Sequence, residues 1–322
     1  MLKPTRRALL KLAAAAPALA LPAPLAAALS GPSGDQPPFF RFTVGDAKIT
    51  VVSDGHLALP ASGLGVNADP AEVKAFLIAH QISASENYSH TNHLVIEIGG
   101  NTVLIDVGSG NRFQNTAGRL ISNLEAAGID GGDITHVVIT HAHPDHIWGI
   151  RDDFDEPIFP DAEYIIGDQE YSWWMQNDLV NQVTPEMQQF VVGAVNSLTA
   201  EGLEWTMAAD GQEVVPGVRL MATPGHTMGH MSVLIDSEGD QLLALGDAMN
   251  HAYITVERPD WVGSFDQDPD QTVATRRRLL DMATRDSIPV LGYHFPFPGV
   301  GHVMMDRGIY RFVPALWRWQ DG

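Results

Sequence analysis

The sequence predicts an α/β fold in which strands and helices form layers around one core. Strand-like runs of alternating or β-branched apolar residues recur along the chain, and helical segments separate them. Several of these strands end directly before a histidine or an aspartate. Apolar residues make up 45% of the 322 positions, which is enough for one large domain with a sizeable core.

The first predicted elements are two hairpins and a helix. The segment "FRFTVGDAKITVVSDG" predicts two strands joined at Gly45 and Asp46. The segment "HLVIEIGGNTVLIDVGSG" predicts a second hairpin that turns at residues 99–101. The segment "AGRLISNLEAAGI" has helical apolar spacing and stops at Gly128. The short buried strand "THVVIT" then leads directly to His141.

The second half of the chain continues the same alternation. A strand is predicted at "AEYIIG", followed by a helical segment from "YSWWMQ" to "GAVNSL". Two further strands are predicted at "VRLMATPG" and "MSVLIDSEGDQLLALGD". A helix that starts at Asp268 and Pro269 leads into the strand "IPVLGYH". Loops at strand ends on a rigid scaffold are where functional sites are usually built.

The N-terminus has the composition of an export signal. Residues 1–28 carry four basic residues, no acid and an alanine- and leucine-rich run, and the Arg6–Arg7 pair resembles a bacterial twin-arginine signal. An ordinary secretory leader or an uncleaved anchor helix is the alternative. Residues 29–38 are the predicted linker, and residues 39–322 are the predicted main domain. We therefore expect a periplasmic or secreted protein without stable membrane insertion once the signal is removed.

Charge and cysteine content narrow the partners. The formal net charge is -20. Removing the four basic residues of the signal leaves 15 basic against 39 acidic residues, a net charge of -24. Such a surface repels phosphate backbones, so we expect no nucleic-acid partner. Cysteine is absent, so any metal must be held by nitrogen and oxygen ligands.

The run "ITHAHPDHIWG", residues 139–149, is rich in metal-ligand side chains. In a loop that leaves a strand, His141 and His143 point to the same side, and Pro144 turns the chain before Asp145 and His146. Four ligands in six residues crowd a single tetrahedral ion, so the run predicts two adjacent ions. Two metals roughly 3.5 to 4 Å apart share a bridging hydroxide that is a strong nucleophile at neutral pH.

Asp247, directly after "LLALG", is the candidate for a carboxylate that bridges the two ions. The alternatives to a catalytic centre are a histidine-rich surface loop and a structural metal site. A structural zinc needs only four closed ligands, whereas this sequence offers more, spread over separate strand ends.

The motif "THAHPDH" resembles the HxHxDH signature of the metallo-β-lactamase fold superfamily. The later segments "TPGHTMGH", "LLALGD" and "YHFPFPG" match its downstream ligand motifs in order, and the resemblance covers roughly residues 40–310. It implies a four-layer αβ/βα sandwich of two sheets flanked by helices. It also implies that one metal is bound by His141, His143 and His226. The implied ligands of the other metal are Asp145, His146 and His294, with Asp247 bridging both.

The same resemblance assigns supporting roles. Asp106 in "LIDVGSG" matches an acidic position that orients a ligand histidine without binding metal. Asp145 and Asp247 are the expected catalytic carboxylates. The expected cofactors are two divalent metal ions, with zinc first and manganese, cobalt or iron as alternatives that the same ligands accept. His230 and His302 are expected to make structural hydrogen bonds.

Within this superfamily, the resemblance favours hydrolases of small uncharged substrates. The tail "GYHFPFPGVGHV" and the segment "DVGSGNRFQNTAGRL" look most like methyl parathion hydrolase and its lactonase and esterase relatives. The first expectation is therefore cleavage of organophosphate triesters or aryl esters. The alternative is hydrolysis of acyl-homoserine lactones or other lactones. A non-catalytic metal-binding protein is the alternative of another class, and a homodimer is expected because relatives are often dimers.

Uncharged substrates require an apolar pocket. The aromatic candidates for its walls are Phe113, Trp173, Trp174, Phe190, Phe295 and Phe297. One of the two adjacent tryptophans is expected to line the pocket and the other to pack inside. Opening a lactone expels an alkoxide, which needs a proton, and the candidates for its donor are Tyr253 and Tyr293.

Overall fold

The computed structural model describes residues 37–316. The predicted export signal, residues 1–28, and residues 29–36 of the predicted linker lie outside the described residues. The strands of the described part are β1 (Phe39–Val44), β2 (Ala47–Pro60), β3 (Glu86–Ile98), β4 (Asn101–Ile105), β5 (His136–Ile139), β6 (Glu163–Gly167), β7 (Trp205–Ala208), β8 (Glu213–Val215), β9 (Val218–Ala222), β10 (Met231–Ser237), β11 (Asp240–Ala244), β12 (Val290–Leu291), β13 (Val300–Asp306) and β14 (Ile309–Pro314).

The helices surround these strands in the same part of the chain. They are α1 (Pro70–Ala79), α2 (Leu120–Ala126), α3 (Pro144–Ile147), α4 (Asp168–Trp174), α5 (Pro185–Leu198), α6 (Ile254–Glu257) and α7 (Pro269–Arg285). Across residues 37–316, none of the helices combines the length and the apolar character needed to cross a membrane.

The strands form two sheets of seven strands each. The first sheet has the order β1-β2-β3-β4-β5-β6-β7, and the second has the order β14-β13-β12-β11-β10-β9-β8. Strands β4 to β7 run parallel, as do β11 and β12, and the other neighbours are antiparallel. The parallel strands therefore end at a common edge of each sheet, which gathers the loops that follow them.

Alternating apolar residues place one face of each sheet against the other sheet. Leu94 and Ile96 of β3 belong to the core between the sheets, whereas Val95 packs against the outer helices. Successive side chains of a strand point to opposite faces, so an uninterrupted apolar strand must be covered on both sides. Helix α5 covers the first sheet through residues such as Phe190, and α7 covers the second through Leu279. The four-layer sandwich is thereby confirmed.

Several details differ from the sequence prediction. The predicted strand "IPVLGYH" is a strand only over Val290–Leu291. The segment predicted as helical from Tyr171 to Leu198 is divided, because Asp178 adopts a left-handed φ of 64° and Pro185 starts a new helix at its first position. Helix α1 and the hairpin β13–β14 were not predicted, although Asp69 and Pro70 carry an ordinary helix start signal.

Candidate metal centre

The predicted ligands lie in loops that leave strand ends of both sheets. His141 and His143 follow β5, and His226 follows β9. Asp247 follows β11, and His294 follows β12. The two sheets end side by side at this edge, so residues far apart in sequence converge at one place.

The turn at Pro144 divides the "HAHPDH" run into two pairs. Pro144 is the first residue of the short helix α3, and His143 precedes it in extended conformation with ψ 159°. The helix places Asp145 and His146 beside His294, whereas His141 and His143 group with His226, and His141 and His146 also meet beside Asp247. All four ligand-type residues of this run are buried.

Three histidine nitrogens form the first group. His143 Nδ1 lies 3.1 Å from His141 Nε2 and 2.9 Å from His226 Nε2. Nitrogen ligands held at 2.0–2.1 Å around a tetrahedral ion are about 3.3 Å apart. The spacing of these three nitrogens therefore fits one divalent ion, and the structure brings together the three residues assigned to it.

The second group contains Asp145, His146 and His294. His294 Nε2 lies 3.3 Å from Asp145 Oδ2, and His146 Nε2 lies 3.5 Å from the same oxygen. Asp247 stands between the two groups, with Oδ2 3.3 Å from His226 Nε2 and 3.1 Å from His294 Nε2. That position is the one a bridging carboxylate requires.

The ring orientation of most of these histidines is fixed by a hydrogen bond on the far side of the ring. His146 Nδ1–H donates to Asp106 Oδ2 at 2.8 Å, and His294 Nδ1–H donates to the backbone oxygen of His90 at 2.7 Å. A carboxylate or carbonyl oxygen only accepts, so Nδ1 carries the proton and Nε2 presents its lone pair to the centre. Asp106 thus occupies the orienting position that the resemblance implied.

His226 and His141 follow the same rule through other partners. His226 Nδ1–H donates to Asp266 Oδ1 at 2.9 Å. His141 Nδ1 lies 3.1 Å from Thr140 Oγ1, whose own proton goes to Asp106 at 2.9 Å from Oδ2. Such outer partners set the tautomer and direction of a metal ligand.

Several atoms of the centre are buried without a hydrogen-bond partner among the described residues. They include Asp145 Oδ2, His146 Nε2 and Asp247 Oδ1. Unpaired buried polar atoms cost free energy, and a bound cation removes that cost for lone pairs that face it. Imidazole nitrogen and carboxylate oxygen are suitable ligands for zinc and other first-row ions, so the donor set fits a dinuclear centre for divalent metal ions.

The electrostatics of the centre agree with cation binding. Burial lowers the pKa of His141 and His143 well below 6.5, which keeps both rings neutral. Burial also lowers the pKa of His146, but Asp145, Asp247 and Asp106 outweigh it and raise that pKa well above 6.5. Burial raises the pKa of Asp247, yet the neighbouring histidines lower it well below 3.8. A bound cation favours the neutral form of His146, in which Nε2 presents its lone pair to the centre.

A cavity of about 340 Å³ opens directly onto this centre. Five predicted ligands form its floor, and no lysine or arginine occurs among the described residues that line it. Small polar side chains line part of the wall: Ser62, Asn87, Ser89, Asn250 and Ser264. The rest is largely apolar: Leu57, Leu59, Leu64, Phe113, Phe190 and Phe265.

Comparison with known proteins identifies the family of this chain. A model of the metallo-beta-lactamase superfamily matches residues 88–291. The chain belongs to this superfamily. N-acyl homoserine lactonase AiiA of Bacillus thuringiensis subsp. kurstaki is 26% identical over 170 residues, which cover 52% of this chain and 58% of the lactonase. The chain thus matches little more than half the length of that curated relative.

Two solved structures show the same fold. AidC, described as a dizinc quorum-quenching lactonase in complex with a product, has a TM-score of 0.76 and 23% identity over 87% of this chain and 98% of its own. The hydrolase AbOPH has a TM-score of 0.80 and 24% identity over 88% of this chain and 100% of its own. The superfamily assignment of the sequence is confirmed, but the specific likeness to methyl parathion hydrolase is not shown.

The aromatic pocket predictions for this superfamily member need correction. Phe113 and Phe190 line the cavity, but Trp173, Trp174 and Phe295 do not. Trp174 is fully buried because its indole N–H donates to Glu170 inside the core, and Trp173 packs against the same core. Phe295 is fully buried because it packs on the outer face of the second sheet. Phe297 packs at the core between the sheets and is likewise absent from the cavity wall.

Neither predicted proton donor reaches the cavity. Tyr293 is buried beneath the centre, where its hydroxyl donates to the backbone oxygen of Asp145 at 2.6 Å. Tyr253 packs among the apolar residues near α6 and α7. His230 has the structural role expected of it, because its Nε2 accepts from the backbone N–H of Asp247 at 2.9 Å, whereas His302 is exposed on β13.

Two buried carboxylates that contact the ligand histidines or their loops were not predicted. Asp266 accepts from His226 and pairs with the buried Arg276 at 2.9 Å. Glu170 accepts four hydrogen bonds next to the first group. The "FDQDPD" segment around Asp266 and the "DQEY" segment around Glu170 contain several acids, and spacing alone does not distinguish the buried one.

Proposed function

We propose that this protein is a metal-dependent hydrolase that uses two zinc ions to open the ring of N-acyl homoserine lactones. This reverses the order of the sequence expectations, which put organophosphate triesters and aryl esters first. The names of AiiA and AidC support the lactone alternative. The ligand set supports the dependence on metal.

The observation that carries the proposal is an apolar cavity directly against the predicted ligands. A lactone with an acyl chain is uncharged, so it needs no cationic partner in the pocket. Phe113, Phe190 and Phe265 offer apolar surface for the chain, while Asn87 and Asn250 offer amide groups for its polar atoms. Ligand pockets of this kind commonly combine an apolar wall with a few polar groups.

The chemistry divides between the ions and the chain. Two bound divalent ions supply Lewis acidity and lower the pKa of a water molecule. Asp145 and Asp247 are the only carboxylates that line the described cavity. Because Asp145 lines the cavity and its Oδ2 faces the metal ligands, we assign to its other oxygen, Oδ1, the proton that the attacking water loses. It returns that proton to the ring oxygen when the ring C–O bond breaks, so no separate tyrosine is required.

The test compares three uncharged substrates on one preparation of zinc-loaded enzyme. N-hexanoyl homoserine lactone, an aryl ester and an aryl phosphotriester are assayed side by side. We expect kcat/KM for the lactone to exceed that for the phosphotriester by about 100-fold, or roughly 2.7 kcal/mol of transition-state stabilisation. Faster phosphotriester cleavage contradicts the proposal, and two bound ions without hydrolysis of any substrate support the non-catalytic alternative.

A matched pair of variants assigns the proton step. Asp145→Asn is expected to lower kcat for the lactone more than for the aryl ester. The aryl ester releases a phenolate, which leaves without a proton, whereas the lactone releases an alkoxide, which needs one. Ser264→Ala, which changes another residue of the cavity lining, is the control for a simple change in the pocket. Equal losses of kcat on both substrates in Asp145→Asn contradict the proton role of Asp145.

Export and assembly are further parts of the proposal. The Arg6–Arg7 pair supports twin-arginine export to the periplasm or the medium. Replacing both residues with lysine and following the protein in cell fractions tests that route, and unchanged export of the variant contradicts it. Light scattering of the purified protein tests the predicted homodimer.

A further inference from the structure

One ligand histidine lacks the outer hydrogen bond that its four counterparts possess. His141, His146, His226 and His294 each donate from the remote ring nitrogen to an oxygen atom. His143 faces the centre with Nδ1, and its Nε2 is buried with no hydrogen-bond partner among the described residues. The orientation of His143 must therefore come from packing and from the backbone that carries it.

Trp174 is one of the groups that pack against His143. The two rings meet edge to face with centroids 5.8 Å apart, and the centroid of the tilted Phe190 ring lies 6.0 Å from that of His143. Trp174 is fully buried, and its Nε1–H donates to Glu170 Oε1 at 2.6 Å. A fixed indole restricts the ring it touches, so the position of His143 depends on what holds Trp174.

Glu170 also holds the backbone on both sides of the first group. The backbone N–H of Ala142, between His141 and His143, donates to Glu170 Oε1 at 2.9 Å. The hydroxyl of Thr227, directly after His226, donates to Oε2 at 2.6 Å.

The backbone N–H of Gly229 is the fourth donor, at 3.0 Å from Glu170 Oε2. A Cβ on Gly229 would lie 2.0 Å from the backbone nitrogen of Glu170, so the loop after His226 packs directly on the start of α4. One carboxylate therefore joins two ligand loops that are distant in sequence. Ala142 is 28 positions from Glu170, and Thr227 and Gly229 are 57 and 59 positions from it.

We propose that Glu170 is the positioning residue of the three-histidine metal site. Its hydrogen bonds fix the position of His143, whose own ring has no hydrogen-bond acceptor among the described residues. Glu170 touches neither the substrate cavity nor the ligand atoms, and it acts through Ala142, Trp174 and the loop after His226. This assignment concerns the metal site alone and holds for any substrate of the enzyme.

The hydrogen-bond donors around Glu170 explain why an amide cannot replace its carboxylate. Each oxygen of Glu170 accepts two hydrogen bonds, and three of the four donors are N–H groups that cannot accept. In Glu170→Gln, the amide NH₂ faces at least one N–H donor in either orientation of the side chain. One of the two loops must then move, although the size of the side chain is unchanged. Loss of an outer partner typically weakens metal affinity by roughly 10–100-fold.

The experiment measures zinc binding to the whole protein by competition with a chromophoric chelator, without substrate. We expect Glu170→Gln to bind one of its two ions roughly 10–100-fold more weakly and the other with unchanged affinity. In the cobalt-substituted protein, we expect the visible absorption bands of one ion to change. Circular dichroism and thermal melting report whether the variant is folded.

Two further variants keep the test decisive. Thr227→Val removes one of the four donors at almost constant volume and is expected to weaken the same ion by less than Glu170→Gln does. Glu257→Gln is the matched control, because Glu257 is a buried carboxylate paired with His80 and Arg311 outside the centre. Wild-type affinities for both ions in folded Glu170→Gln overturn the proposal, and so does equal weakening of both ions. Lactone turnover has no part in these readouts, so failure of the proposed substrate leaves them unaffected.

Discussion

Replacing Asp266 with asparagine tests how the loop before helix α7 supports the metal centre. Asp266 Oδ1 accepts from His226 Nδ1 at 2.9 Å, and Oδ2 accepts from Arg276 Nη2 at 2.9 Å and from the backbone N–H of Gly263 at 2.7 Å. Gly263 belongs to the cavity wall, so this carboxylate connects a metal ligand, a pocket loop and helix α7.

The expected magnitude follows from the burial of the ion pair. The side chains of Asp266 and Arg276 are both fully buried, and breaking a buried pair by removing one partner costs about 3–5 kcal/mol. Arg276 keeps two carbonyl acceptors, so we expect the lower end of that range. For a chain of this size, about 3 kcal/mol lowers the melting temperature by roughly 6 °C. His226 loses its carboxylate partner, so the affinity for the first ion falls by roughly 10–100-fold.

Chemical unfolding of the metal-free wild type and variant measures the first effect, and chelator competition measures the second. Arg277→Gln, which breaks the exposed pair with Asp260, is the control and is expected to change stability by less than about 1 kcal/mol. Asp266→Asn protein with wild-type stability and wild-type metal affinity refutes the supporting role of Asp266.

The same variant predicts a difference in pH dependence. Burial raises the pKa of Asp266, but Arg276 and His226 outweigh burial and hold it below 3.8. A carboxyl group with a depressed folded pKa adds stability above its unfolded pKa and loses it as pH falls through the folded value. The stability gap between wild type and Asp266→Asn should therefore be full above about pH 4 and shrink in stronger acid. A gap that widens in acid contradicts this sign.

Three more predictions concern stability and specificity. Burial lowers the pKa of His251 from 6.5 to about 4. The unfolded chain therefore takes up a proton at a higher pH than the folded protein does, so the unfolding free energy is highest above pH 6.5 and falls by up to about 3 kcal/mol toward pH 4. His251→Asn should remove that part of the pH profile, and an unchanged profile contradicts it. Phe190→Ala removes apolar surface from the cavity wall and should raise KM for decanoyl relative to butanoyl lactones by roughly tenfold, because losing the burial of about two methylenes costs about 1.6 kcal/mol. Equal KM changes for both lactones argue against Phe190 as a chain contact. Chelating the metal should remove about 4 kcal/mol of unfolding free energy from protein that was held at a free metal concentration of about 1,000 times the Kd. Differential scanning calorimetry detects this loss as a lower melting temperature, and an unchanged melting temperature argues against a tightly bound ion.

The sequence was sufficient to predict the fold and the convergence of the ligand residues for a local reason. His141, Asp247 and His294 each come shortly after an apolar strand, and the ends of parallel strands share one sheet edge. The ligand residue types and the turn at Pro144 lie in short segments, so they are readable without knowledge of long-range contacts. The order of the ligand motifs then supplied the architecture through its resemblance to the superfamily.

The cavity wall and the supporting carboxylates were not predictable in the same way. Phe190 and Trp174 are both aromatic and both lie on helices. Phe190 lines the cavity and Trp174 is buried in the core, and this difference depends on how each helix packs. Glu170 accepts a hydrogen bond from Thr227, which is 57 positions away in sequence, and Asp266 accepts one from His226, which is 40 positions away. A single acid on a helix or in an acidic loop carries no local signal of such a partner, since most acids are solvated.

The most direct test of the central claim is a titration of metal-free protein with zinc, followed by lactone turnover and by metal analysis of the same samples. A dinuclear hydrolase predicts that turnover is absent without metal, rises until two ions are bound per chain, and is abolished in Asp247→Ala at matched zinc. Full lactone turnover by the metal-free protein, or no turnover with two zinc ions bound, contradicts the account.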